Sequence, residues 1–280
     1  MSYLDPAFPA QAETVTKRPK CSGCKDGTRL PFSFTMAFQP IVDLRTGRVF
    51  WGYEALVRGP NGESAASILE QVDPQTVYAF DQACRVKAIE LAAPLIPHDG
   101  KTKLSINFKP NAVYEPSACI RATLDAANRT GFDKSQLMFE FTEDEPMTDV
   151  PHVRRIIEAY RTFGFTTAID DFGAGHAGLA LLADLLPDLI KLDMALIRGI
   201  DGSPARQTIV KGIADITGQL GITCLAEGLE TREEVETVRD LGLDLCQGYF
   251  FARPEVAMLP EMQIDLAPLL PAQVRRPAQG

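Results

Sequence analysis

The chain has 280 residues, 45% of them hydrophobic and 23% charged, which suits a soluble protein of one large domain or two small ones with a sizeable core. A formal net charge of −9 without any basic run excludes a long nucleic acid as partner, while a small phosphate compound is compatible if acidic residues hold metal ions. No run of about 18 apolar residues occurs and no basic-then-apolar leader opens the chain, so neither a membrane span nor a secretory signal is expected.

Residues 1–33 are polar and rich in Pro and Lys, and read as a flexible arm. The arm carries Cys21-Ser22-Gly23-Cys24, which fits an inert pair, a metal clip completed by another chain, or a redox switch. An ordinary zinc site needs four ligands, and no second Cys or His pair lies nearby. From residue 34 onward, short apolar runs alternate with amphipathic stretches. Strands are predicted at 34–42 and 49–57, separated only by the hairpin-like turn Asp43-Leu44-Arg45-Thr46-Gly47-Arg48. A helix at 77–95 leads to a strand at 103–108, and a helix at 116–130 to a strand at 137–142. Helices at 151–163, 178–185, 204–220 and 231–241 then alternate with strands at 166–170, 189–192, 223–226 and 243–247. Ser203 followed by Pro204 marks one helix start, and Thr231 with Glu234 forms a capping box at another. A Pro-rich tail over 263–280 is expected to fray.

Strand–helix units of this length join parallel strands, and eight strands suggest a TIM-type barrel. The helix-free turn between the first two strands makes it a modified (β/α)8 barrel of the α/β class, with the first strand antiparallel to the others, over residues 34–262. Four of the six cysteines, Cys84, Cys119, Cys224 and Cys246, fall inside predicted elements and read as core residues of a reduced, cytoplasmic protein. Trp51 and Tyr53 are both expected to pack outside the barrel wall.

In such barrels the chemistry sits at the C-terminal ends of the parallel strands. There the sequence places Glu54, Asn107, Glu140, Asp170, Asp171, Lys191, Asp193, Glu227 and Gln247, one or more from each strand after the first. A single buried carboxylate is as often structural as functional. Five converging carboxylates repel one another unless cations lie among them. A solvated acidic rim explains them poorly, because they sit in apolar runs such as Leu-Met-Phe-Glu-Phe and Thr-Ala-Ile-Asp-Asp-Phe. With only three His in the chain, the oxygen donors suit Mg²⁺ or Mn²⁺ rather than zinc. Two such ions beside Asp170 and Asp171 would serve in-line displacement at phosphorus, with Lys191 orienting the attacking water or stabilising the charged transition state.

Glu54-Ala55-Leu56-Val57-Arg58 matches the signature of the EAL family of cyclic di-GMP phosphodiesterases. The chain also carries, in the family's order, Phe38-Gln39-Pro40-Ile41-Val42, Ile106-Asn107-Phe108, Glu140-Phe141-Thr142-Glu143, Asp170-Asp171-Phe172-Gly173, Ile190-Lys191-Leu192-Asp193, Ala226-Glu227-Gly228-Leu229-Glu230 and Gln247-Gly248-Tyr249. The tripeptide alone is worthless as a signal; the ordered set, spread from about residue 34 to 258, is specific. The resemblance implies hydrolysis of cyclic di-GMP to linear pGpG with two Mg²⁺ or Mn²⁺ ions. It implies Glu54, Asn107, Glu140, Asp170, Asp171 and Glu227 as metal ligands, with Lys191, Glu227 and Glu54 around the nucleophilic water. Gln39, Leu56, Arg58, Asp193 and Gln247 resemble substrate-contacting positions, Glu143 the glutamate that anchors the loop after the fifth strand, and Glu230 a supporting residue.

The loop Asp171-Phe172-Gly173-Ala174-Gly175-His176 departs from many active members at Ala174 and His176, and is similar there to light-regulated EAL proteins. His176 reads as a loop-packing or dimer-contact residue rather than a base. A homodimer is expected through the region around the fifth strand, with room for a regulatory partner; no synthase or sensor domain is visible. The alternative is a receptor or scaffold that binds cyclic di-GMP without cleaving it. Such members usually lack a metal-binding acid, and none is missing here.

Overall fold

The computed structural model describes residues 30–46, 50–113, 115–142, 149–175, 178–262 and 264–270. The strands are β1 (Thr35–Asp43), β2 (Phe50–Arg58), β3 (Lys103–Asn107), β4 (Leu137–Thr142), β5 (Thr166–Phe172), β6 (Leu189–Leu192), β7 (Thr223–Ala226), β8 (Leu245–Cys246) and β9 (Glu255–Val256). The α-helices are α1 (Ala65–Leu69), α2 (Val77–Ala92), α3 (Pro116–Cys119), α4 (Arg121–Thr130), α5 (Val150–Thr162), α6 (Gly178–Leu185), α7 (Met194–Ile197), α8 (Pro204–Leu220) and α9 (Arg232–Asp240).

Strands β2 to β8 pair in sequence order and in parallel. β1 closes the barrel between β8 and β2, antiparallel to both, and β9 adds an antiparallel flap beside it. The expected modified barrel is therefore present. The turn at 47–49 lies outside the described residues, as do Cys21 and Cys24.

Two apolar layers hold the wall. Outward-facing residues pack under the helices in one large core, where the rings of Phe108, Phe139, Tyr160 and Phe165 meet edge-on or tilted with centroids 5.0 to 6.2 Å apart. Each such buried side chain contributes about 1.5–3 kcal/mol. A smaller layer of Ile41, Met138, Ala168, Leu189, Leu225 and Leu245 fills the barrel's interior. Side chains alternate across a strand, so residues two apart share a face. The interior plug Met138, Ala168, Leu189, Leu225 and Leu245 therefore stands directly beneath Glu140, Asp170, Lys191, Glu227 and Gln247. On the antiparallel β1 the order reverses, with Gln39 above Ile41.

Four expectations are corrected. Trp51 does not pack outside: it sits against the interior plug, where the β1/β2 register shifts between Ile41 and Val42. The bulge turns one residue out of the alternation, while Tyr53 stays in the outer core. The stretch 116–130 is two helices, α3 and α4, hinged at a fully buried Ile120. The strand at 243–247 shortens to Leu245–Cys246, because Leu243 is spent closing α9 through its N–H to Val238 O at 3.0 Å. The helix at 77–95 ends at Ala92, and residues 93–96 continue only as a turn.

Candidate metal centre

Glu140 lies at the middle of the polar end of the barrel and is wholly buried. Ser105 Oγ, two residues before the end of β3, donates to Glu140 Oε2 at 2.5 Å. Asn107 Nδ2 donates to Glu140 Oε1 at 2.9 Å and to Glu54 Oε1 at 3.1 Å. Gln247 Nε2 donates to Glu54 Oε2 at 2.6 Å and to Gln39 Oε1 at 3.3 Å. These bonds run as a belt from β1 through β8 and β2 to β3 and β4. Gln247 Oε1 is buried without a partner, an acceptor left over once the belt is made.

Lys191 stands inside the belt, 1% exposed. Its Nζ lies 2.8 Å from Glu227, 3.0 Å from Asp170, 3.3 Å from Glu140 and 3.4 Å from Glu54. Burial disfavours its charged form, but the four carboxylates outweigh that and hold the ammonium well above its usual range. Burial raises the Glu140 and Glu227 carboxyls well above the ordinary value, against the pull of Lys191. Burial also pushes Glu54 up, yet Lys191 and the bonds from Gln247 and Asn107 prevail and hold it low.

Asp170 and Asp171 are adjacent, so a regular strand would point them to opposite faces. The chain solves this with a break. The β5/β6 register slips between Ile169 and Phe172, and Asp171 takes a left-handed backbone, φ 54°. That conformation costs about 1–3 kcal/mol in a residue with a Cβ, and it turns both carboxylates to the same end of the barrel. Burial, together with the Asp170 charge, pushes the Asp171 carboxyl up to about 6.

Among the described residues two groups of acids can hold cations: Glu54, Glu140 and Asp170, and Asp170, Asp171 and Glu227, each with oxygens within 4.8 Å of one another. Asp170 belongs to both. All donors are hard oxygens, which fits Mg²⁺, Mn²⁺ or Ca²⁺ better than softer ions.

Two cavities straddle the cluster, and both reach Glu54 and Asp171. The smaller, about 190 Å³, is lined by Gln39, Asp193, Arg198, Glu230 and Tyr249 among others. The larger, about 360 Å³, is more apolar and includes Leu56, Leu69, Phe80 and Asn107. Asp193 caps α7, accepting the Ala195 N–H at 2.7 Å. The short α7 is seated on two glycines of neighbouring loops. A Cβ on Gly173 would meet Leu196 at 2.5 Å, and one on Gly228 would meet Met194 at 2.5 Å.

Glu54, Asn107, Glu140, Asp170, Asp171, Lys191, Glu227, Gln39 and Gln247 thus meet at one place. Leu56 and Asp193 line the flanking cavities, and Glu230 sits at the rim, ion-paired with Arg198. Arg58 is not brought in: its guanidinium donates to Val57 O at 2.7 Å. Glu143 and His176 lie outside the described residues. Ser105 escaped the sequence reading, although a lone hydroxyl two residues before Asn107 shares its face and was a usable signal. Arg198 had no signal at all, because only the fold carries it to Glu230.

A family model described as EAL domain matches residues 32–254. A solved structure of a standalone versatile EAL protein from Vibrio cholerae O395, in its c-di-GMP bound form, is 50% identical, with a TM-score of 0.79 over 84% of this chain and 98% of that one. The manganese/cy-diGMP complex of BlrP1 from Klebsiella pneumoniae is 34% identical, with a TM-score of 0.76 over 82% of this chain and 57% of that one. Among curated proteins, the blue light- and temperature-regulated antirepressor BluF of Escherichia coli strain K12 is 30% identical over 81% of this chain and 55% of its own length. The chain spans about half the length of the curated relatives it matches first. With the barrel, its reversed first strand and the ordered motifs all in place, the chain belongs to the EAL domain family.

Proposed function

We propose that the protein hydrolyses cyclic di-GMP to linear pGpG with the help of two Mg²⁺ or Mn²⁺ ions. One observation carries the reading. Four carboxylates surround one ammonium and a fifth, Asp171, groups with two of them; with all five ionised, as cation ligands must be, four negative charges exceed the ammonium, the charge that two divalent cations neutralise. Relatives point the same way: one is named as a cyclic di-GMP phosphodiesterase of Pseudomonas aeruginosa, and the BlrP1 complexes contain manganese or calcium with the dinucleotide.

Glu54, Asn107, Glu140 and Asp170 would hold one ion, and Asp170, Asp171 and Glu227 the other. Bound ions would supply charge stabilisation at the phosphoryl group and ease deprotonation of the attacking water. Lys191 would orient that water and offset charge on the phosphate, with Glu227 and Glu54 beside it. Gln39, Gln247 and Asp193 would position the substrate from the smaller cavity and Leu56 from the larger. Arg58 would reach a phosphate oxygen after releasing the Val57 carbonyl. Glu143 and Glu230 would support the surrounding loops.

The reading includes a second copy of the chain, supported by the exposed Leu179 and Leu186 at the two ends of α6. It also includes a cytoplasmic location, as the proposed substrate requires. Among the described residues no helix is long and apolar enough to cross a membrane.

The test is chromatographic detection of pGpG from cyclic di-GMP with Mg²⁺ or Mn²⁺. Turnover is expected, and Glu54→Ala is expected to abolish it. A folded protein that binds the dinucleotide and returns it intact after long incubation in both metals would replace the enzyme by a receptor.

A further inference from the structure

Asn107 is the one amide among the proposed ligands, and the least supported by its own strand. It is the last residue of β3, and it is exposed. Beyond it, the Phe108 N–H still bonds to β4, donating to Glu140 O at 2.9 Å. The next N–H, on Lys109, has left the sheet. It donates instead to Asp81 Oδ1 on α2 at 3.0 Å.

Asp81 can serve there because its other oxygen is held. Arg85, one turn along α2, donates through Nη2 to Asp81 Oδ2 at 2.6 Å. The pair is buried, with side chains 1% and 4% exposed for Arg85 and Asp81. Stability alone is a poor reason for such a pair. Desolvating two charges costs about as much as their attraction returns, and apolar replacements of similar volume are often neutral or better. The pair does lie where it has a use: Asp81 lines the same cavity as Asn107, Glu54 and Asp170.

We infer that Asp81 is a positioning residue for the metal centre, fixing the strand end that aims Asn107 at Glu54 and Glu140, with Arg85 locking its carboxylate in place. This rests on the metal reading above. Two successive backbone bonds, one to β4 and one to α2, leave the peptides after Asn107 no freedom to swing. Without the second, the exposed Asn107 and Lys109 on either side of the buried Phe108 gain rotational freedom, and the bridge from Asn107 to the two glutamates is populated less.

The test compares two double variants by calorimetric titration with Mn²⁺ alone. Asp81→Asn with Arg85→Met removes the ion pair but keeps a carbonyl oxygen for the Lys109 N–H. Asp81→Ala with Arg85→Met removes both. With thermal melts confirming that each is folded, the Asn variant is expected to bind Mn²⁺ within about twofold of the wild type. The Ala variant is expected to bind it at least about tenfold more weakly, as is usual when a group supporting a metal ligand is lost. Equal affinities in the two folded variants would overturn the inference. If the Ala variant does not fold, Asp81→Ser with Arg85→Met, whose hydroxyl falls short of the amide, takes its place under the same criterion. No Mn²⁺ binding by the wild type would refute the metal reading itself, a separate outcome.

Discussion

Replacing Lys191 by Met tests the electrostatics of the cluster directly. The thioether side chain is unbranched and of similar length, so it fills the space while removing the one charge. Four carboxylate oxygens lie 2.8 to 3.4 Å from the ammonium. At an effective dielectric of about 20, each contact attracts by about 5–6 kcal/mol, and the cost of burying the ammonium offsets most of the total. What remains when one partner of such a set is deleted is typically about 3–5 kcal/mol, because the other charges are left uncompensated. For a chain of this size that lowers the unfolding temperature by about 6–20 °C. The loss depends on pH with a definite sign. Glu140 and Glu227 already hold protons well above the ordinary range, and without Lys191 they hold them more tightly still. At pH 6 protonation relieves the repulsion; at pH 8 less of it is relieved, so the deficit is larger there. Thermal melts followed by circular dichroism, with a chelator present, measure both values, and saturating Mn²⁺ is expected to restore part of the loss. A variant that melts within about 2 °C of the wild type at pH 8 in chelator, or shows the same deficit at both pH values, would refute the reasoning.

Three further outcomes follow from the same geometry. Ser105→Ala removes the hydroxyl that donates to Glu140 at 2.5 Å, and urea denaturation is expected to show a loss of about 1.5–3 kcal/mol, with no change if the bond is incidental. Gly248→Ala would place a Cβ 2.0 Å from Leu229 O, next to Gln247; the loop must shift, and a loss of about 1–3 kcal/mol or more is expected in the same assay. Metal affinity is expected to fall as the pH drops through about 6, where Asp171 takes up its proton and ceases to offer a charged oxygen; titrations with Mn²⁺ from pH 5 to pH 8 that give one constant affinity would contradict this.

Much of the barrel is written locally. The apolar plug and the polar rim repeat at a spacing of two along each strand, as in Met138 and Glu140 or Leu189 and Lys191, so their shared face can be read without a partner strand. The capping box at Thr231 and the Ser203 cap are likewise short-range, and both form as read. The six-residue connection between β1 and β2 excludes a crossover helix, and the antiparallel first strand follows from that.

What the alternation misleads about is settled by strand neighbours. By period two, Asp171 should face the helices, and Trp51 should too; in each case a register slip against the adjacent strand turns the side chain elsewhere. The motif suggests that Arg58 faces a phosphate, whereas the fold leaves it on its own neighbour's carbonyl. Asp81 stands in an ordinary helix, and only the approach of residue 109, 28 positions later, gives its carboxylate something to hold. By itself the sequence determined which residues are acidic, which face each strand offers, and that the acids converge on one end of a barrel. The tertiary structure decided how they are held: Lys191 shared among four carboxylates, Asp171 bent inward, and Asn107 tethered through its own loop. The division is physical, since side-chain direction within a strand is a property of the local backbone, while bulges, shared charges and tethers exist only between segments distant in the chain.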